Sequence, residues 1–174
     1  MAPTVRLELL APRHIDDMAA LLTDPDTLRF TRVPVPVPSG FAESWYGNYE
    51  SARVDGSREA FAALDSDGRF VGLGLAPHID RQGRELELGY IVAPAARGRG
   101  IGVEILRQLT RWAFDDLGAL RVYLIIDVNN AASERMAERC GYVREGVMRS
   151  QHLKQGIRVD AALWSRLPSD PEPA

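Results

Sequence analysis

The chain has one cysteine, one lysine and no apolar run near the roughly 20 residues that cross a bilayer. A lone Cys140 excludes an intrachain disulfide and a cysteine-built metal cluster. His14, His78 and His152 stand singly, without ligand spacing, so no metal is expected. Charge of one sign is also lacking. The 21 basic and 24 acidic residues leave a formal net charge of -3, which gives no bulk drive toward nucleic acid or an anionic membrane. Met1-Ala2-Pro3-Thr4 has no basic-then-apolar signal pattern, and a cytoplasmic protein is the expectation. What is present suits one domain: 174 residues, 45% of them hydrophobic, are enough for a single core.

Apolar periodicity divides the chain. Residues 4–10 read as a strand ended by Pro12, and Ile15, Met18, Ala19 and Leu22 set a short helix over 14–22. Pro34, Pro36 and Pro38 alternate with valines, which predicts an extended loop over 31–40. Phe41, Trp45, Tyr49 and Ala52 predict the apolar stripe of a second helix, with Ser39 as its cap. Strands at 59–64 and 70–76 flank the turn Asp65-Ser66-Asp67-Gly68, and a further strand follows at 85–92. Leu106, Leu109, Ala113, Phe114 and Leu117 mark a long helix that stops at Gly118. After it come a strand at 121–126, a helix at 133–140, and strands at 142–149 and 158–164 joined near Gly156. Hairpins at both ends, with strand–helix–strand between, predict an α/β domain over 4–166: a mostly antiparallel sheet with one right-handed parallel crossover, flanked by helices. The tail at 167–174 is expected to carry little core.

One segment suggests chemistry. Arg97-Gly98-Arg99-Gly100-Ile101-Gly102 follows the strand at 85–92 and opens into the long helix near Val103. Glycines let a backbone approach a ligand, and amides at a helix start attract phosphate, with Arg97 and Arg99 adding charge. The turn has no Gly-Lys-Ser/Thr, and its position deep in the chain does not suit a dinucleotide fingerprint. A tight connection without a ligand is the plain alternative.

Arg97-x-x-Gly100-x-Gly102 resembles the acyl-coenzyme-A motif of the GCN5-related N-acetyltransferase (GNAT) superfamily. Glu87-Leu88-Gly89-Tyr90-Ile91-Val92, Asp127 to Ser133 and Ala137 to Tyr142 are similar to its ribosomal-protein-alanine acetyltransferase (RimJ/RimL-like) branch, as are Gly146 to Arg149 and Asp160 to Trp164. The resemblance implies acetyl-CoA as cofactor, bound in a splay between two parallel central strands. It places the pantetheine amides on backbone groups of Ile91 and Val92, and the pyrophosphate on the amides from Gly98 to Val103. Val92 would contact the thioester carbonyl, and Asn130 and Ser133 would also meet the coenzyme. A homodimer is implied as well.

Acetyl transfer needs a neutral amine, a stabilised carbonyl oxygen and a proton for the departing thiolate. Glu87 is the expected base, through water; Glu85 shares its strand parity and competes, and a solvent-facing Glu87 paired with an arginine is the alternative. Ser133 is the expected donor to sulfur, with helix capping its other role. Many superfamily members place a tyrosine donor where this chain has Ala137, whereas serine is the donor proposed for the resembled branch. Tyr90 reads as core or substrate wall. Phe30, Tyr46, Glu85, Tyr90 and His152 are the expected acceptor contacts, with Trp45 assigned to the core. The acceptor is expected to be a protein or peptide N-terminal amine. A small-molecule or antibiotic amine, or a noncatalytic acyl-CoA-binding module, are the alternatives.

Overall fold

The computed structural model describes residues 3–173; Met1, Ala2 and Ala174, the last residue of the expected tail, lie outside the described residues. Seven strands form one sheet in the order β1-β2-β3-β4-β5-β7-β6. They are β1 (Arg6–Leu9), β2 (Glu59–Leu64), β3 (Phe70–Asp80), β4 (Glu85–Val92), β5 (Arg121–Asp127), β6 (Val143–Lys154) and β7 (Ile157–Arg166). All neighbours are antiparallel except β4 and β5, which run parallel and are joined through a long helix. The helices are α1 (Ile15–Leu21), α2 (Pro25–Phe30), α3 (Phe41–Asp55), α4 (Ile101–Asp115) and α5 (Ala131–Arg139). The expected mixed, mostly antiparallel α/β architecture with one parallel pair is the observed one.

Strand alternation sends side chains to both faces, and helices cover each. In β5, Val122, Leu124 and Ile126 are buried while the residues between them are half-buried. On one face α4 lays down Ile101, Ile105, Leu106, Leu109 and Ala113, at helical spacing, onto Leu86, Leu88, Val122 and Leu124. On the other, α1 and α3 cover Ala60, Ala62, Leu73, Leu75 and Ile91 with Met18, Leu21, Tyr46 and Tyr49.

The sheet comes apart at one place. Pro77 has no N–H to give, and the β3–β4 register shifts there: Leu75 faces Gly89, but His78 faces Glu87. Ala76 and Pro77 therefore oppose Leu88 alone. Parallel pairing with β5 stops at the same level, its last partners being Glu87 and Tyr123. Beyond it β4 follows β3 as far as Val92, while β5 follows β7 as far as Asp127.

Some sequence expectations change. α2 was not foreseen, although Asp24 before Pro25 is a legible helix start: its carboxylate accepts from the Thr27 N–H at 2.8 Å. Ser39 does not cap α3, whose cap position is Gly40 with φ of 70°. The tail has an anchor in Glu172, which lies 3.2 Å from the buried Arg166 guanidinium. Leu109 is fully buried at the centre of the α4 interface. Leu109→Ala is expected to lower unfolding free energy by about 2–5 kcal/mol, read from the denaturant midpoint at unchanged m-value.

Candidate active site

A cleft of about 760 Å³ opens where β4 and β5 part. Residues Gly89 to Val92 of β4 and Leu124 to Asp127 of β5 line its middle. The starts of α4 and α5 border one end, and α2, the following loop, α3 and β6 border the other.

Backbone direction at the gap follows from the β3 ladder. Ala93 donates to the Val71 carbonyl, so the polar groups of residues 91 and 93 address β3. Alternation turns those of Tyr90 and Val92 toward the gap. This direction does not suit the expected backbone role of Ile91: Ile91 is buried with its amide on the β3 side, and the gap-facing groups are those of Tyr90 and Val92.

Gly98 and Gly100 hold φ of 73° and 80°, a left-handed bend that a Cβ would strain, and deliver the chain into α4. The first-turn amides, from Ile101 to Val103, have no partner inside the helix, and these residues line the cleft. Gly102 serves closeness. A Cβ there would stand 2.6 Å from Met136 Sδ and 3.2 Å from Val92 Cγ2, so its bare backbone lets α4 meet α5 and β4.

The two arginines of the turn do something other than expected. Arg97 lines the cleft, but its guanidinium is ion-paired with Asp24 and donates to Thr27 Oγ1 at 3.2 Å. Its Nε donates to the Val92 carbonyl at 3.2 Å. The side chain ties the turn to the start of α2 and the end of β4, and is not free to meet a phosphate. Arg99 is exposed and stands off the cleft lining. Cations at this end come instead from Arg135 and Arg139, which the sequence reading missed; their spacing of four on α5 was the available signal.

Asn130 caps α5, its Oδ1 accepting from the Ser133 N–H at 3.1 Å. The cap role weighed for Ser133 thus belongs to Asn130. Ser133 Oγ lies 2.7 Å from the Tyr90 hydroxyl, either one donating. Burial pushes the Tyr90 phenol well above its ordinary value, opposed by the Ser133 hydrogen bond, so both hydroxyls stay protonated at neutral pH. A phenol from β4 thus reaches the region although Ala137, at the familiar tyrosine position, is buried core.

At the other end stands Glu87. Burial pushes its carboxyl up, against the lowering influence of the Arg32 and His78 charges. Arg32 donates to Glu87 Oε1 at 2.8 Å. Glu85 does not join it: that carboxylate lies 3.5 Å from Arg121 and outside the cleft lining. Shared strand parity failed to group the two because the gap begins only past Glu87.

Tyr46 is also corrected. It is buried under α3, its hydroxyl donating to Glu50, while Trp45 and Phe41 line the cleft. The helix is rotated so that Ala42, Tyr46 and Tyr49 face the core. Tyr49 also borders the cleft, its phenol pushed up to about 12 mainly by burial. Phe30 and His152 line the cleft. Burial, helped by the Arg32 and Lys154 charges, pushes the His152 imidazole down. Lys154 donates to the Arg29 carbonyl, tying β6 to α2. Arg32, Arg58 and Lys154 are cleft residues without a motif to announce them, and Asp127, the first residue of the Asp127 to Ser133 segment, joins them.

The acetyltransferase (GNAT) domain family profile matches residues 4–143, and the chain belongs to that family. The putative ribosomal N-acetyltransferase YdaF of Bacillus subtilis (strain 168) is 32% identical over 106 residues, which cover 61% of this chain and 58% of YdaF. Spermidine N(1)-acetyltransferase of Vibrio cholerae is 27% identical over 106 residues, 61% of each chain. The matched stretches span less than two thirds of either relative. The crystal structure of spermidine N-acetyltransferase from Vibrio cholerae in complex with CoA and spermine shares the fold, with a TM-score of 0.85 at 21% identity over 95% of this chain and 96% of that one. The names of these proteins extend beyond the ribosomal-protein branch to which the motifs were likened.

Asp24 gives a pH prediction. Arg97, first, and hydrogen bonds from Thr27 hold its carboxyl at about 2. A depressed carboxyl stabilises the fold above its unfolded value, and that contribution fades as pH falls from about 4 through 2. In Asp24→Asn, acid unfolding should show a shallower loss of stability across this window, by chemical denaturation at stepped pH; an unchanged slope would refute the pairing.

Proposed function

We propose that the chain transfers an acetyl group from acetyl-CoA to the primary amine of a small molecule. The observation that carries this reading is the gap between β4 and β5, beside the free first-turn amides of α4. The gap-facing backbone groups of Tyr90 and the N–H of Val92 suit an amide-containing pantetheine arm, and the amides from Gly98 to Val103 suit a pyrophosphate. Space supports the fit: among the described residues, a Cβ on Gly98 would meet nothing within 4 Å. Acetyl-CoA supplies a thioester-activated acetyl group.

The chain's own groups then have separate tasks. Glu87 receives the amine proton, through water, and its raised pKa improves the match to neutral pH. The Val92 N–H donates to the carbonyl oxygen as charge develops there. Ser133, backed by the Tyr90 hydroxyl, gives a proton toward the departing sulfur. A small acceptor is favoured over a protein N-terminus by the aromatic walls Phe30, Phe41 and Trp45 and by similar proteins named for spermidine. The YdaF name favours a protein N-terminal amine as the second reading. A homodimer belongs to the proposal as well. It is supported by the exposed apolar side chains Val143, Val147, Leu153 and Ile157 on β6 and β7, at the sheet edge.

Purified protein incubated with acetyl-CoA and a mixed library of small amines and N-terminal peptides should give mass increases of one acetyl group among the small amines. Products confined to peptides would transfer the assignment to the second reading, and coenzyme binding without any product would mark a noncatalytic module. Gly100→Asp should weaken coenzyme affinity by adding bulk and charge at the turn, measured by calorimetry on folded protein. Glu87→Gln should keep that affinity but lower kcat on the order of a hundredfold. It should also remove the limb of the pH profile along which activity rises as Glu87 deprotonates; a retained limb would show Glu87 to be a spectator.

A further inference from the structure

The charge at the acceptor end is unlike what a polycation would need. Of the acids lining the cleft, Asp26 is engaged by Arg97 and Asp127 accepts from the Asn129 backbone and side chain. Asp127 also acts electrostatically on His152 and Lys154, and Arg32 already covers one oxygen of Glu87, the third acid. Opposite stand Arg32, Arg58 and Lys154. Arg58, just before β2, lines the cleft with no hydrogen bond or salt bridge among the described residues. Like Arg32 and Glu87, it acts electrostatically on the Tyr49 hydroxyl, which borders the same cleft. A cationic acceptor would meet these guanidinium groups, which stand exposed at the cleft, and like charges repel.

Resting on the acetyl-transfer reading above, we propose that the acceptor is a small amine carrying its own oxyanion, a carboxylate or phosphonate, held by Arg58 and Arg32 while Glu87 addresses the amine. Guanidinium groups match such oxyanions with paired, charge-assisted hydrogen bonds. Because Arg32 touches Glu87 directly, the amine and the anion stand close together in the acceptor, as they do in an α-amino acid or an aminophosphonate. Phe41 and Trp45 then provide an apolar wall for the rest of the molecule. Acetylation forms the amide bond, breaks the thioester and releases free coenzyme thiol. The amine proton leaves by Glu87 and a proton reaches the sulfur, so the step balances without another reactant.

The test compares the common L-amino acids and 1-aminoethylphosphonate with the matching carboxamides and with spermidine, as pools with acetyl-CoA and read by mass spectrometry. The best carboxylate or phosphonate acceptor should exceed its uncharged counterpart in kcat/KM by about tenfold or more. Arg58→Ala should bring that ratio near unity, and Arg58→Glu should invert it, with coenzyme affinity reporting that both variants are folded. Spermidine or carboxamides acetylated in preference to every anionic amine would overturn the proposal while leaving acetyl transfer intact. Equal losses for charged and uncharged acceptors in Arg58→Ala would overturn it too. If no acceptor turns over, calorimetry of the same anionic amines on the coenzyme-loaded protein decides separately. Binding lost in Arg58→Ala supports the oxyanion site and rejects catalysis, whereas no binding rejects the site.

Discussion

The structure depends on an interruption of hydrogen bonding at the middle of its sheet. Pro77 cannot donate, two residues of β3 face Leu88 alone, and β4 loses β5 just beyond Glu87. The strand continues with polar groups exposed on one side, a condition that ordinarily invites another partner. Everything assigned a functional role lies along this opening. Val92 and Tyr90 present backbone groups to it, α4 and α5 begin beside it, and Glu87 marks the point where it starts.

Ion pairs hold the borders of that opening in place. Arg97 ties the glycine turn to Asp24, so the start of α2 is fastened to the end of β4. Lys154 joins β6 to the end of α2, and Arg32 reaches Glu87 from the loop beyond it. These long-range contacts turn an irregular proline-rich segment into a wall of the acceptor end. They also set its charge: the carboxylate that would serve as base is bounded by guanidinium groups, which bears directly on what kind of amine can approach.

Much of this was legible beforehand. The strand at 85–92, the glycine turn and the helix after it were clear because each has a local cause: alternation, φ restriction and amphipathic period. Asn130 and Ser133 were expected at the coenzyme and both line the cleft, but which of them caps α5 was not legible, since capping geometry depends on how that helix starts. Trp45 and Tyr46 were exchanged for a similar reason. Adjacent aromatics on a helix differ by about 100° of rotation, and only the docking of α3 decides which of them meets the core. Glu85 and Glu87 look equivalent along the strand until the splay separates them.

Local chemistry in the chain therefore determined the α/β class, the order of its elements and the turn into α4, because those follow from neighbours within a few residues. The partners of the charged groups were decided by tertiary structure. Arg97 is close to Gly98 in sequence yet belongs to Asp24, and Arg58, Glu87 and Arg32, far apart along the chain, all act on the Tyr49 hydroxyl. Electrostatic interaction depends on distance and burial in space, and neither is written in the spacing of residues along the chain.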